Sequence, residues 1–177
     1  ADLTMRGDVL VFDSLASTFE HLVTAAGDVV MESHGSSFAS PFNYQNVDLD
    51  GTVTSLRVGK TTNTANVAMT SPASIAGPIT VYGGDLDLQA NLTSSGNGAD
   101  VLLKARGDLV TSASRSFQTN NGDLTFWSDA DGNSAGAITL GNDNLLNSVN
   151  GSTGDTDSSG GDITLGGGSS GSSKPTG

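Results

Sequence analysis

The tripeptide Arg-Gly-Asp occurs twice in this 177-residue chain, at Arg6-Gly7-Asp8 and at Arg106-Gly107-Asp108. On an exposed bend it sets a cation and a carboxylate either side of a glycine, a pattern that would suit an integrin-type surface receptor. An architectural reading competes with it. Gly-Asp recurs at Gly27-Asp28 without the arginine; glycine supplies an unusual backbone angle, and aspartate accepts a backbone N–H within a bend. Corner chemistry is the favoured account of both tripeptides.

A second group, Asp129-Ala130-Asp131-Gly132-Asn133, opens like a calcium loop, in which carboxylate and amide oxygens surround a hard cation. Counting Asp129 as one, Leu140 stands at the twelfth position, where a complete loop carries glutamate. The Gly-Gly-x-Gly-x-Asp nonapeptide of calcium-binding β-rolls is also missing. A structural calcium on Asp129, Asp131 and Asn133 is therefore the minor reading, and a solvated acidic corner the major one. Trp127 beside Phe126 offers a stacking surface for sugar, although successive strand residues face opposite ways, so one of the two points inward. With no second exposed aromatic to complete a platform, packing is favoured.

Catalytic patterns are weaker. His21 and His34 are the only histidines, and no local signature sets a nucleophile beside a base. Gly167 to Gly171 matches G-x-S-x-G and Gly166 to Gly171 matches G-x-G-x-x-G, but both patterns need a strand leading into a helix, and Ser-Ser-Lys-Pro follows. The three lysines and four arginines are scattered along the chain, without the cluster that a polysaccharide-cleaving site requires. The chain is read as a non-enzyme.

Seven basic against 19 acidic side chains leave a net charge of −12, which repels nucleic-acid phosphates and anionic lipid. No apolar run approaches the ~20 residues needed to cross a bilayer, so neither nucleic acid nor membrane insertion is expected. Cysteine is absent, which removes disulfides and thiolate metal sites. The chain opens on Ala1 without an initiator methionine, as expected of a processed chain or an excised segment. Leu, Ile, Val and Phe number only 40, few for a globular enzyme but enough for a narrow solenoid whose core is a file of side chains along one axis.

The elements that must position these residues are clearest over 77–110, GPITVYGGDLDLQANLTSSGNGADVLLKARGDLV. Short apolar runs alternate with glycine-containing corners there, the rhythm of strands of a few residues broken by tight bends. LLKARGDLV (102–110) aligns with LVTAAGDVV (22–30) and with DLTMRGDVL (2–10), placing Gly-Asp at 7, 27 and 107. Looser copies, glycine followed by an apolar-x-apolar triplet, start at Gly51, Gly77, Gly84, Gly122, Gly136 and Gly161. A repeat of ~20 to 25 residues built of short strands signals a solenoid. The fold expected is all-β, a parallel β-helix of about seven or eight coils over residues 1–168, with 169–177 a flexible Gly/Ser-rich tail. Strand is favoured for 21–25 and a short helix or loop for 14–20. Polar SHGSSFASPFNYQN (33–46), with Pro41, reads as a corner or excursion, as does the Ser/Arg/Gln-rich stretch before Leu124.

GGDLDLQANLTSSGNGADVLLKARGDLV and GDLTFWSDADGNSAGAITL, with GGDITLGGG after them, resemble the repeat region of filamentous-haemagglutinin-like exoproteins of Gram-negative bacteria. That resemblance covers roughly 77–168 and is weaker before it. It implies a right-handed β-solenoid segment of a long secreted or cell-surface rod, exported by two-partner secretion and used in adhesion. The partners it implies are neighbouring coils of the same exoprotein, further copies of the chain stacked end to end, and a surface receptor or glycan. The alternative is a β-helical glycan-active enzyme or carbohydrate-binding module. A third option, a β-sandwich adhesin module, predicts antiparallel pairing between successive strands.

Overall fold

The computed structural model describes residues 1–12, 21–23, 27–149 and 160–168, with the backbone alone described over 21–23. Its strands are β1 (Leu3–Arg6), β2 (His21–Val23), β3 (Asp28–Glu32), β4 (Phe42–Tyr44), β5 (Val47–Leu49) and β6 (Ser55–Val58). The middle of the chain forms β7 (Val67–Met69), β8 (Ala73–Ile75), β9 (Ile79–Gly83), β10 (Leu86–Leu88), β11 (Leu92–Asn97) and β12 (Val101–Ala105). The last are β13 (Leu109–Thr111), β14 (Ser116–Asn120), β15 (Leu124–Ser128), β16 (Ile138–Thr139), β17 (Leu145–Asn147) and β18 (Ile163–Gly167).

Each strand bonds to strands one coil away, and every pairing between these strands is parallel. The long sheet runs β1-β3-β6-β9-β12-β15-β18; a second runs β16-β13-β10-β7-β4, a third β17-β14-β11-β8, and β2 pairs with β5. This is a parallel β-solenoid, and the hairpin pairing of a β-sandwich does not occur among the named strands.

Alternation along each strand explains the stacking. In β9, Ile79 and Val81 point inward and are fully buried, while Thr80 and Tyr82 face out. The inward positions line up from coil to coil as Val29, Leu56, Ile79, Val101 and Leu124, and as Met31, Val58, Val81, Leu103 and Phe126. The second sheet adds Phe42, Val67, Leu86 and Leu109. Each fully buried aliphatic or Phe side chain contributes about 1.5–3 kcal/mol relative to exposure, and no coil could bury it alone.

Corners are held by a second device. Where the chain enters the long sheet, Asp2 Oδ1 accepts the Asp28 N–H at 3.2 Å, Asp100 Oδ1 that of Asp123 at 2.8 Å, and Asp123 Oδ1 that of Asp162 at 2.9 Å. Where it leaves, Asn66 Oδ1 accepts from Asp85 N–H, Asp85 Oδ1 from Asp108 N–H and Asp108 Oδ1 from Ala137 N–H, each at 2.9 Å. Each carboxylate thus satisfies a corner N–H of the next coil that the ladder leaves unpaired. Seven of the 19 acidic residues (Asp2, Asp28, Asp85, Asp100, Asp108, Asp123 and Asp162) stand in these two lines. Five of those seven carboxylates accept a corner N–H there, so part of the chain's acidity is architecture.

Three expectations are corrected. The sheets close about five turns rather than seven or eight, because turns are longer and less even than the assumed period. From Leu3 to Val29 is 26 residues, from Ile79 to Val101 is 22, and from Leu124 to Ile163 is 39. Second, the three aligned Gly-Asp pairs at 7, 27 and 107 are not equivalent. Registers match Leu3 with Val29 and, through the ladder, with Val101, so the two arginine-containing copies are offset by two residues and Gly27 lies at the opposite end of a long-sheet strand from Gly7. Third, two stretches read as corners are strands. Phe42 and Tyr44 of β4 are buried directly after Pro41, where proline sits just outside the strand and removes no ladder bond; β14 points Phe117 and Thr119 inward. The readings for 14–20 and for 169–177 lie outside the described residues.

Candidate functional site

The two Arg-Gly-Asp copies do different things. Arg6 ends β1 and points outward, where its Nε–H donates to Glu32 Oε1 at 2.7 Å. Asp8 Oδ1 accepts the Gly35 N–H at 3.0 Å. Arg106 follows β12, with Nε 3.6 Å from Asp131 Oδ2, while Gly107 packs its backbone against Asp85 and Asp108 belongs to the exit ladder. Both aspartates spend an oxygen on a neighbouring backbone N–H, and neither arginine sits across a free bend from its own aspartate.

The oxygens of the candidate calcium loop are likewise engaged within it. Asp129 Oδ1 accepts from Ser134 N–H at 3.1 Å, Asp131 Oδ1 from Asn133 N–H at 3.4 Å, and Asn133 Oδ1 from Ala135 N–H at 2.7 Å. Among the described residues no three His, Cys, Asp or Glu side chains converge as a metal site would require. A recess of about 620 Å³ opens beside this loop at the carboxy-terminal end of the stack, lined by Ser128, Asp129, Ser134, Leu140 and Leu165 among others. Among the described residues, Asp129 is the one titratable group in its lining, and Leu140, Ile163 and Leu165 are exposed there. Ile163 and Leu165 occupy inward positions of the last rung, with no further described rung of the long sheet beyond it.

Trp127 has a different setting. Phe126 faces inward and is fully buried, packed edge-on to Phe117 at 5.2 Å, so Trp127 faces out. Lys104, one coil earlier, is its ladder neighbour and holds Nζ 4.7 Å from the ring centroid, within cation–π range. The indole N–H donates to Gly168 O at 2.9 Å. Beside Lys104 on the other side stands Tyr82, half-buried. The row on the outer face of the long sheet therefore reads Tyr82, Lys104, Trp127, and the missing second aromatic is present two coils from the first.

The cations also gather, against the expectation that they are scattered. Arg6, Arg57 and Lys104 point outward from the long sheet, while Lys60 and Arg106 lie at its trailing corner. Five of the seven basic residues thus share one side of the solenoid. Glu32 pins the first two, accepting Arg57 Nη2–H at 2.9 Å opposite Arg6. Burial opposes its ionisation, but hydrogen bonds from Arg6 and Arg57, reinforced by their charges, outweigh that and hold the carboxyl below the ordinary glutamate value of 4.5.

A folded-state value lowered in this way stabilises above pH 4.5, and the contribution is lost as pH falls through the folded value. Glu32→Gln should therefore lower stability at neutral pH by about 1 kcal/mol, the arginines being partly solvated. The gap in Tm between variant and wild type should shrink as the pH is taken below 4.5. A gap that stays constant from neutral to acid pH in thermal scans would contradict this assignment.

Two further features escaped sequence reasoning. Asn63 is buried and joins three coils: its Oδ1 accepts from Ser37 Oγ at 2.9 Å and Phe38 N–H at 3.2 Å, and its Nδ2 donates to Tyr82 O at 3.0 Å. It thereby fixes the backbone beneath Tyr82. The third sheet uses buried hydroxyls in the same way, Ser94 Oγ donating to Gly77 O at 2.8 Å. A polar residue flanked by threonine or serine carries no apolar signal by which either could have been found.

Comparison with family models, with curated proteins and with solved structures returns no match.

Proposed function

We propose that this chain is a structural and adhesive rod segment of a large secreted or cell-surface exoprotein of the filamentous-haemagglutinin-like kind, acting through reach and lateral surface rather than through catalysis. The observation that carries this reading is the unbroken parallel ladder of the long sheet, whose seven rungs each advance the stack by about 4.8 Å. A solenoid of that kind offers a long outer face and has strand edges at its ends, where further coils or further copies would add. The recess at the carboxy-terminal end supports the same reading, since among the described residues its lining brings one carboxylate and no basic side chain, short of the paired groups that glycoside cleavage uses.

Beads coated with the chain should be retained on bacterial or epithelial cell layers under flow, well above albumin-coated beads, and should release no reducing ends from polysaccharides. Retention at the albumin level, or steady release of reducing ends, would overturn the proposal. The carbohydrate-binding alternative keeps one specific observation in its favour, the Tyr82–Lys104–Trp127 row.

A further inference from the structure

We propose that the outer face of the long sheet binds a carboxylate-bearing polysaccharide, laid along the solenoid axis over the row Tyr82, Lys104 and Trp127. The proposal deepens the adhesive reading above, on which it rests, by naming the surface and the class of ligand.

Charge is the first argument. In a chain of net charge −12, five cations are collected on one side, and not all of them are neutralised there. Glu32 answers Arg6 and Arg57, and Asp131 approaches Arg106. Among the described residues no carboxylate lies within ion-pair distance of Lys60 or Lys104. Lys60 Nζ is held by the Gly35 carbonyl at 2.7 Å, and Lys104 by the Trp127 ring. Both ammonium groups are thus positioned by neutral partners and keep their charge for an anion. Together with Thr61, Asn63, Tyr82 and Arg106, Lys104 lines a recess of about 90 Å³, a space on the scale of a single carboxylate group.

Shape and stacking are the second argument. Tyr82 and Trp127 lie two coils apart on one row, about 9.6 Å at the usual rung spacing, with the Lys104 ammonium between them. Two aromatic side chains flanking a cation suit a chain of sugar rings that carries a carboxylate at intervals. An acidic peptide would leave the Tyr82 ring without a sugar to pack against. The row is also stiff, since Asn63 donates to the Tyr82 carbonyl and Gly168 accepts from the Trp127 indole, so little ordering is needed on binding.

The test is calorimetric titration of the chain with polygalacturonate, alginate and hyaluronan oligomers, alongside a neutral glucan and poly-glutamate. At least one uronate oligomer should bind, more weakly as salt rises, and more tightly than either control. Lys104→Glu and Trp127→Ala should each weaken binding at least tenfold, Lys104→Arg should retain it, and Arg115→Glu, at a corner away from this face, should leave it unchanged. Circular dichroism matching wild type establishes that each variant is folded. The proposal is overturned if no uronate binds better than poly-glutamate, or if folded Lys104→Glu binds as wild type does. Uronate binding without bead retention would sink the adhesive rod and leave this inference standing; bead retention without uronate binding would do the reverse.

Discussion

Replacing Gly77 by alanine is expected to destabilise the solenoid by about 3 kcal/mol or more, the upper range of overpacking, and to lower Tm by about 10 °C for a chain of this size. A Cβ at this position would stand 1.5 Å from the Thr54 carbonyl oxygen and 2.3 Å from its carbon, both backbone atoms of the preceding coil. Neither side can retreat. The Gly77 carbonyl accepts the Ser94 hydroxyl from one direction, while on the other the Thr54 N–H donates to Gly27 O at 3.0 Å and its hydroxyl to Asp28 Oδ1 at 2.9 Å. Gly51→Ala is the matched control, since nothing lies within 4 Å of a Cβ there, and its Tm should stay within about 2 °C of wild type. Were Gly77→Ala to melt with wild type in a thermal scan, the close approach of coils at this corner would be refuted.

Phe126→Ala is expected to cost about 3–5 kcal/mol, the usual loss for a fully buried phenylalanine. Its ring is fully buried against Phe117 and stands in the column between Leu103 and Leu165. In a solenoid each rung is supported chiefly by its neighbours, so the damage should be local. Amide exchange should accelerate most in β15 and β18 and least in β3 and β6, three or more rungs distant. Uniform acceleration along the whole long sheet would mean that the stack melts as one unit.

How much of this was legible depended on which atoms did the work. Apolar-x-apolar triplets at Ile79 to Val81, Leu86 to Leu88 and Leu124 to Phe126 announced short strands with one buried face, and they are β9, β10 and the start of β15. Strands that bury hydroxyls or a single ring were missed, as in β14, because Ser, Thr and Gln at its other positions imitate a loop. Asp8 and Asp108 do stand at corners, but their oxygens accept N–H groups of the next coil rather than of their own bend. The spacing of Gly-Asp also misled the alignment, since the same dipeptide serves both ends of a long-sheet strand.

From the order of residues alone followed a stack of short parallel strands and the apolar positions that fill its axis, because side-chain alternation and a repeating corner are local properties of the chain. Which outward side chains became neighbours was settled only by coil-to-coil register. Turn lengths vary from 19 residues between Ala73 and Leu92 to 39 between Leu124 and Ile163, so no fixed period could have shown that Tyr82, Lys104 and Trp127 share a row. Nor could it have brought Arg6 and Arg57 onto Glu32. Those contacts exist because backbone hydrogen bonds lock each coil to the next, and the register they choose is written in three dimensions.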